Sequence, residues 1–200
     1  MAKKQPYHHG DLRRALLDAA LELLQTKDAS SLSLRQVARQ AGVSHTAPYR
    51  HFADKAALLA AVAEEGFTEF GQYLQTAVSA ANAETVASLQ ATGVAYVRYA
   101  LEHPTHFRIM FGSFPTETST DSSLHIVSKS TFQILVDIIN KGQAAGLIKT
   151  GEPAALALSR WSLVHGLAML LLDGMLPERG DEALALADSL IAESLTGLLL

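Results

Sequence analysis

Between Ser31 and Lys55 the chain reads SLSLRQVARQAGVSHTAPYRHFADK, a run so dense in helix start and stop signals that few backbone paths satisfy it. Ser33 is a good N-cap and Gln36 follows three residues later, a capping box that satisfies two otherwise orphaned backbone donors. Leu34, Val37, Ala38 and Ala41 then recur at helical spacing and form a narrow apolar face, with Arg35, Gln36, Arg39 and Gln40 outward. Gly42 ends this helix, being the residue best suited to a left-handed backbone. A second short helix is expected over 45–52. Ser44 caps it, and Pro48 sits at its fourth position at the cost of one hydrogen bond, where it can pair with Val43 as a hydrophobic staple.

On a 3.6-residue repeat His45, Thr46, Tyr49 and Arg50 share one side of that second helix, while Ala47, Pro48, His51 and Phe52 share the other. The polar set can face a groove while Phe52 anchors inward. A helix, a glycine turn and a second helix with a basic and aromatic face form a device for reading DNA. Asp54 then caps a further helix beginning at Lys55.

Charge is divided in the same way. Residues 1–55 hold nine Lys or Arg against five Asp or Glu, whereas 56–200 hold seven against fifteen, within a net charge of −4. A positive end suits a polyanion, because neutralising phosphates supplies much of DNA affinity; chance segregation becomes the minor reading once the turn motif is present.

The pattern AGVS, three variable positions, then YRHF and DK resembles the DNA-binding head of the TetR family of bacterial transcription regulators. The resemblance runs back through YHHGDLRRALLDAALELL and forward into the helix after Asp54, about a third of the chain. HPTHFRIMF at 103–111 and WSLVHGLAML at 161–170 are similar to the regulatory domain of one subgroup, marked by its Trp and His-Gly signature. The resemblance implies an all-α protein with a three-helix head on a helical regulatory body. It further implies a homodimeric repressor, released from an inverted-repeat operator in double-stranded DNA by a small-molecule effector. Ser44, Tyr49 and Lys55 match positions that hold phosphates; Arg35, His45, Thr46 and Arg50 are candidates for base edges. Ala47, with Lys3 and Lys4 on a basic N-terminal arm, completes the expected DNA-binding set.

About nine helices are expected, near 11–27, 33–41, 45–52, 54–81, 84–102, 104–111, 124–145, 153–175 and 181–199, with no alternating strand pattern to compete. Residues 1–55 make the arm and head, and 56–200 the regulatory and dimerisation domain. The 54–81 helix carries Leu59, Val62, Ala63, Gly66, Phe70 and Leu74 on one stripe and so connects the two. Residues 112–123 read as a surface loop. The last two helices are apolar on more than one face, Leu158, Trp161, His165 and Leu172 on one side and Leu163, Leu167, Leu170 and Leu171 elsewhere. Pairing two helices from each of two subunits would cover the excess.

In the body Tyr96, Tyr99, Phe107, Met110, Phe111, Phe132, Trp161, His165 and Met169 collect where the family holds its inducer. Residues at such spacing are more often core than ligand contacts. Trp161 and His165 stand out, four apart on one face and each with a polar atom that a buried site must satisfy.

Other chemistries lack their parts. The absence of cysteine excludes disulfides and thiolate metal sites and suits a cytoplasmic protein. The first twenty residues have no apolar signal core, and the apolar stretch Leu156 to Leu172 is interrupted by Arg160 and His165, so it reads as a buried helix rather than a membrane span. His8, His9, His103 and His106 suggest no metal: neighbouring histidines diverge, and the later pair has no carboxylate cluster beside it. No nucleophile elbow, phosphate-cradling loop or HExxH helix occurs, and the adjacent Glu64 and Glu65 cannot converge on one atom. Neither a cofactor nor enzymatic turnover is expected. The alternatives are a DNA-binding regulator without a small-molecule effector, and an all-helical enzyme.

Overall fold

The computed structural model describes residues 9–112 and 122–199. Lys3 and Lys4, and most of the loop expected over 112–123, lie outside the described residues. Eight α-helices make up the described chain: α1 His9–Leu24, α2 Leu34–Gln40, α3 Lys55–Ala80, α4 Thr85–Glu102, α5 Pro104–Met110, α6 Ser123–Ala144, α7 Pro153–Leu172 and α8 Gly180–Leu195. Two short 3-10 turns, Ala29–Ser31 and Pro48–Arg50, lie before α2 and α3. Apart from one bridge between Ile148 and Leu199, the described residues form no β-structure.

The second short helix is the one expected element that the chain does not form as an α-helix. Proline has no amide hydrogen, so Pro48 cannot donate to the Ser44 carbonyl, and that oxygen accepts instead from Ala47 N at 2.9 Å. Tight turns continue from Ala47 through Phe52, and Pro48 starts a 3-10 segment. The caps around it form as their residues require. Ser33 Oγ accepts from Gln36 N while Ser33 N donates to Gln36 Oε1 at 2.9 Å. Gly42 takes φ 68°, and Asp54 Oδ1 accepts from Ala57 N at 2.8 Å.

Two cores result. In the head, Leu16, Leu17 and Ala20 of α1 meet Val37 of α2, Phe52, and Leu58 and Val62 of α3. Arg13 lays its guanidinium over Phe52, 5.7 Å from the ring centre. In the body, Phe67, Phe70 and Leu74 continue the α3 stripe into a core with α4, α6, α7 and α8. Each large side chain buried there contributes about 1.5–3 kcal/mol of transfer free energy. The single helix α3 therefore belongs to both cores. So does the corner made by α5, which sends Ile109 into the head core and Phe107 and Met110 into the body core. Gly66 makes this possible, since a Cβ there would lie 2.7 Å from Met110 Sδ and 3.3 Å from His106 Cδ2.

Helix α7 is long and apolar enough to cross a bilayer by length and composition. It packs instead on α4, α6 and α8, burying Ala157, Val164, Leu167, Ala168 and Leu171. Leu167, expected on the free face, is only 6% exposed, while Leu163 and Leu170 are 37% and 46% exposed.

Candidate DNA interface and ligand cavity

The turn between α2 and α3 presents Ser44, His45, Thr46, Tyr49 and Arg50 to solvent, with Tyr49 54% exposed despite its size. Pro48 and Phe52 point inward and fix the turn on the head core, and Ala47 is half-buried. Ser44 and Thr46 share a hydrogen bond of 3.2 Å between their hydroxyls. Arg35 is exposed on α2. Among the described residues Arg35, His45 and Arg50 enter no ion pair, so their donors remain available to an outside partner. Lys55 is placed differently from a simple surface cation: its ammonium donates to the carbonyls of Ala29 at 3.3 Å and Ser30 at 2.8 Å. It ties the 3-10 turn to the start of α3, and of its three donors one is left for a phosphate.

Within the body a cavity of about 470 Å³ opens among α3, α4, α5, α6, α7 and α8. Phe67, Phe70, Leu74, Leu89, Tyr96, Met110, Phe111, Phe132, Leu135, Trp161, Val164 and Ile191 make its wall largely apolar, and His125, Ser128, Lys129, Thr131, Arg160 and Ser194 supply polar atoms. Five of the nine residues expected at a ligand site, Tyr96, Met110, Phe111, Phe132 and Trp161, line it. The α6 contribution was visible only as Phe132, although Ser128 and Leu124, four and eight residues before it, and Leu135, three after, share its face at helical spacing.

The other four belong elsewhere. Tyr99 and Phe107 are fully buried core, and the Tyr99 hydroxyl donates to the Gly66 carbonyl at 2.9 Å. His165 and Met169 face a second cavity between α5, α7 and the end of α1. The polar atoms of Trp161 and His165, expected to await a ligand, are satisfied internally. Trp161 Nε1 donates to the Tyr96 hydroxyl oxygen at 2.9 Å, and since indole can only donate, the Tyr96 hydrogen is left for His165 Nδ1 at 2.8 Å. Burial raises the Tyr96 phenol and lowers the His165 imidazole, so both hold their neutral forms.

The histidine pair needs a correction too. His103 and His106 do have a carboxylate beside them: Glu69 of α3, distant in sequence, brings an oxygen to a group whose ligand atoms all lie within 4.8 Å of one another. Glu64 and Glu65 diverge as their adjacency requires, Glu64 accepting from Ser123 Oγ at 2.7 Å and Glu65 pairing with Arg14 of α1.

Two family models match the chain. Residues 16–62 match the model for bacterial regulatory proteins of the tetR family, and residues 89–193 match the tetracyclin repressor-like C-terminal domain. The regulator AcrR of Shigella flexneri is 36% identical over 72 residues, 36% of this chain and 34% of that protein, so the chain matches only about a third of this curated relative's length. A protein of unknown function from Rhodococcus sp. RHA1 has a similar structure at TM-score 0.82 and 38% identity, covering 98% of this chain and 100% of that one. AibR, solved with isovaleryl coenzyme A and operator DNA, shares the fold at TM-score 0.70 and 18% identity, over 91% of this chain and 97% of its own. With both family models matched in order along one chain, and an exposed helix-turn motif on the first of them, the chain belongs to the TetR family of DNA-binding transcription regulators.

Proposed function

We propose that this regulator is a homodimeric, cytoplasmic repressor that binds an inverted-repeat operator and leaves it when an apolar small molecule with one or two polar groups enters the body cavity. The observation that carries the reading is the placement of that cavity against α5. Met110 and Phe111 line the cavity while Ile109, beside them, sits in the head core. A ligand that displaces the α5 wall therefore works against the packing of the head as well as the body. AibR, of the same fold, was solved with both an acyl thioester and operator DNA. Release needs a ligand that prefers one head arrangement, and a fivefold to 150-fold change in operator affinity corresponds to about 1–3 kcal/mol of coupling.

Support for the dimer is the outer face of α7 and α8. Leu158, Leu163, Gly166 and Leu170 on α7 lie exposed beside Ala185, Ser189 and Ala192 on α8, an apolar and small-residue surface suited to close pairing with its own copy. The test is selection of bound DNA from a random pool, followed by sedimentation of wild type and a Leu158→Glu, Leu170→Glu double variant, at exposed positions outside the cavity lining. Wild type should select inverted repeats as a dimer, and the variant should be a folded monomer with weakened operator binding. A monomeric variant that bound one half-site as tightly as wild type binds its operator would remove the dimer from the mechanism.

A further inference from the structure

The corner where α3, α4 and α5 meet brings together three electron-pair donors. Glu69 stands in the fifth turn of α3, His103 caps the end of α4, and His106 stands in the first turn of α5. The orientation of His103 follows from its neighbours. The Tyr73 hydroxyl donates to Glu102 Oε2 at 2.9 Å, because a carboxylate can only accept. Its oxygen lies 3.1 Å from His103 Nε2, and with the hydroxyl hydrogen already committed that ring nitrogen must carry the donor. In the neutral ring Nδ1 then presents a lone pair to Glu69 Oε2, 3.7 Å away. His106 Nε2 is buried and has no hydrogen-bond partner among the described residues. Lone pairs facing one another across such a gap can be bridged by a metal cation.

We propose that Glu69, His103 and His106 bind a divalent transition-metal ion of the zinc type, joining α3 to the corner between α4 and α5. Two imidazoles and a carboxylate suit such ions, and a cysteine-free chain offers no competing thiolate. Tetrahedral zinc with ligands at about 2.0–2.2 Å places donor atoms roughly 3.4 Å apart. The present separations of up to 4.8 Å close to that by small side-chain rotations. Tyr73 and Glu102 form the outer hydrogen-bonded layer that aims His103, as metal-bound imidazoles commonly require. Burial keeps His106 neutral, the form that ligates. A water would complete the coordination.

The position gives the ion a consequence. Glu65 lies one turn before Glu69 on α3 and pairs with Arg14 of α1 in the head. A dication beside Glu65 competes with Arg14 for its charge, so occupancy alters how α1 is held.

Chelator-stripped protein titrated with Co²⁺, then with Zn²⁺, tests this without reference to DNA. One ion per chain is expected, giving a visible Co²⁺ spectrum that Zn²⁺ abolishes, together with a rise in Tm. Glu69→Gln, at a half-exposed position, should leave metal-free Tm nearly unchanged and weaken binding at least about tenfold, the scale on which even outer-layer changes act. His106→Asn should do the same, and a His8→Ala, His9→Ala variant should bind like wild type. Wild type that takes up neither ion, or uptake that survives Glu69→Gln and His106→Asn and disappears with His8 and His9, would overturn the site.

Discussion

Replacing Tyr96 by Phe removes one oxygen and leaves the ring, so it isolates the hydrogen-bonded link between Trp161 and His165. Tyr96 is 5% exposed, and its hydroxyl serves both partners at once. Without it Trp161 Nε1 loses its acceptor and His165 Nδ1 loses its donor. Leaving a buried polar group unpaired costs about 1–3 kcal/mol. Both partners are half-buried on a cavity wall that water can enter, so the combined loss should fall within that same range rather than at twice it. For a chain of this size the loss corresponds to a fall in Tm of roughly 2–4 °C per kcal/mol. Thermal and urea unfolding at fixed protein concentration measure it, with Trp161→Phe and the double variant completing a cycle. The two changes should be non-additive, because both delete one bond, with a coupling of about 0.5–1.5 kcal/mol. Additive effects, or a Tyr96→Phe protein as stable as wild type, would show that the triad does not hold α4 to α7.

Two further predictions concern the head and pH. Arg50→Ala or His45→Ala should cost roughly 1–3 kcal/mol at one base pair per half-site and relax discrimination there, whereas Lys55→Ala should weaken all sequences alike and lower the salt slope by about one; binding-site selection at several salt concentrations separates the two, and an unchanged Lys55→Ala would remove that residue from phosphate contact. His165 is lowered by burial from its ordinary 6.5, so the unfolded chain takes up its proton first. The stability it contributes is complete above 6.5 and is lost as pH falls toward the folded value. Melting in chelator from about pH 8 to about pH 5 should show that decline, to which His106, also lowered by burial, adds, and His165→Gln should make it shallower.

Local signals carried most of the head. A capping box, a glycine after a helix and an Asp cap act over four residues, and Ser33 with Gln36, Gly42 and Asp54 all behave accordingly. Pro48 obeyed an equally local rule, and its missing amide outweighed the helical periodicity around it. What sequence spacing did not reveal was long-range. Lys55 turns back to a turn twenty-five residues earlier, and Glu69 reaches a histidine pair on another helix corner. In α7, apolar on all sides, periodicity could not decide which leucines face the core; packing on α4 and α6 buried Leu167 and left Leu163 and Leu170 outside. The cavity wall failed to appear in full for the same reason, since six helices contribute to it.

The 26 residues of α3 run without a break from Lys55 to Ala80, the first part in one core and the rest in the other. In such a rod length is also angle: each residue adds about 100° of rotation for about 1.5 Å of advance. One residue inserted between Ala63 and Phe67 would delete no core side chain, yet it would turn the reading face about a quarter-circle away from its groove and set the two ends of α5, Ile109 in one core and Met110 in the other, against each other. Seven inserted residues, close to two full turns, would return it to nearly the same bearing and carry it about 10 Å farther out.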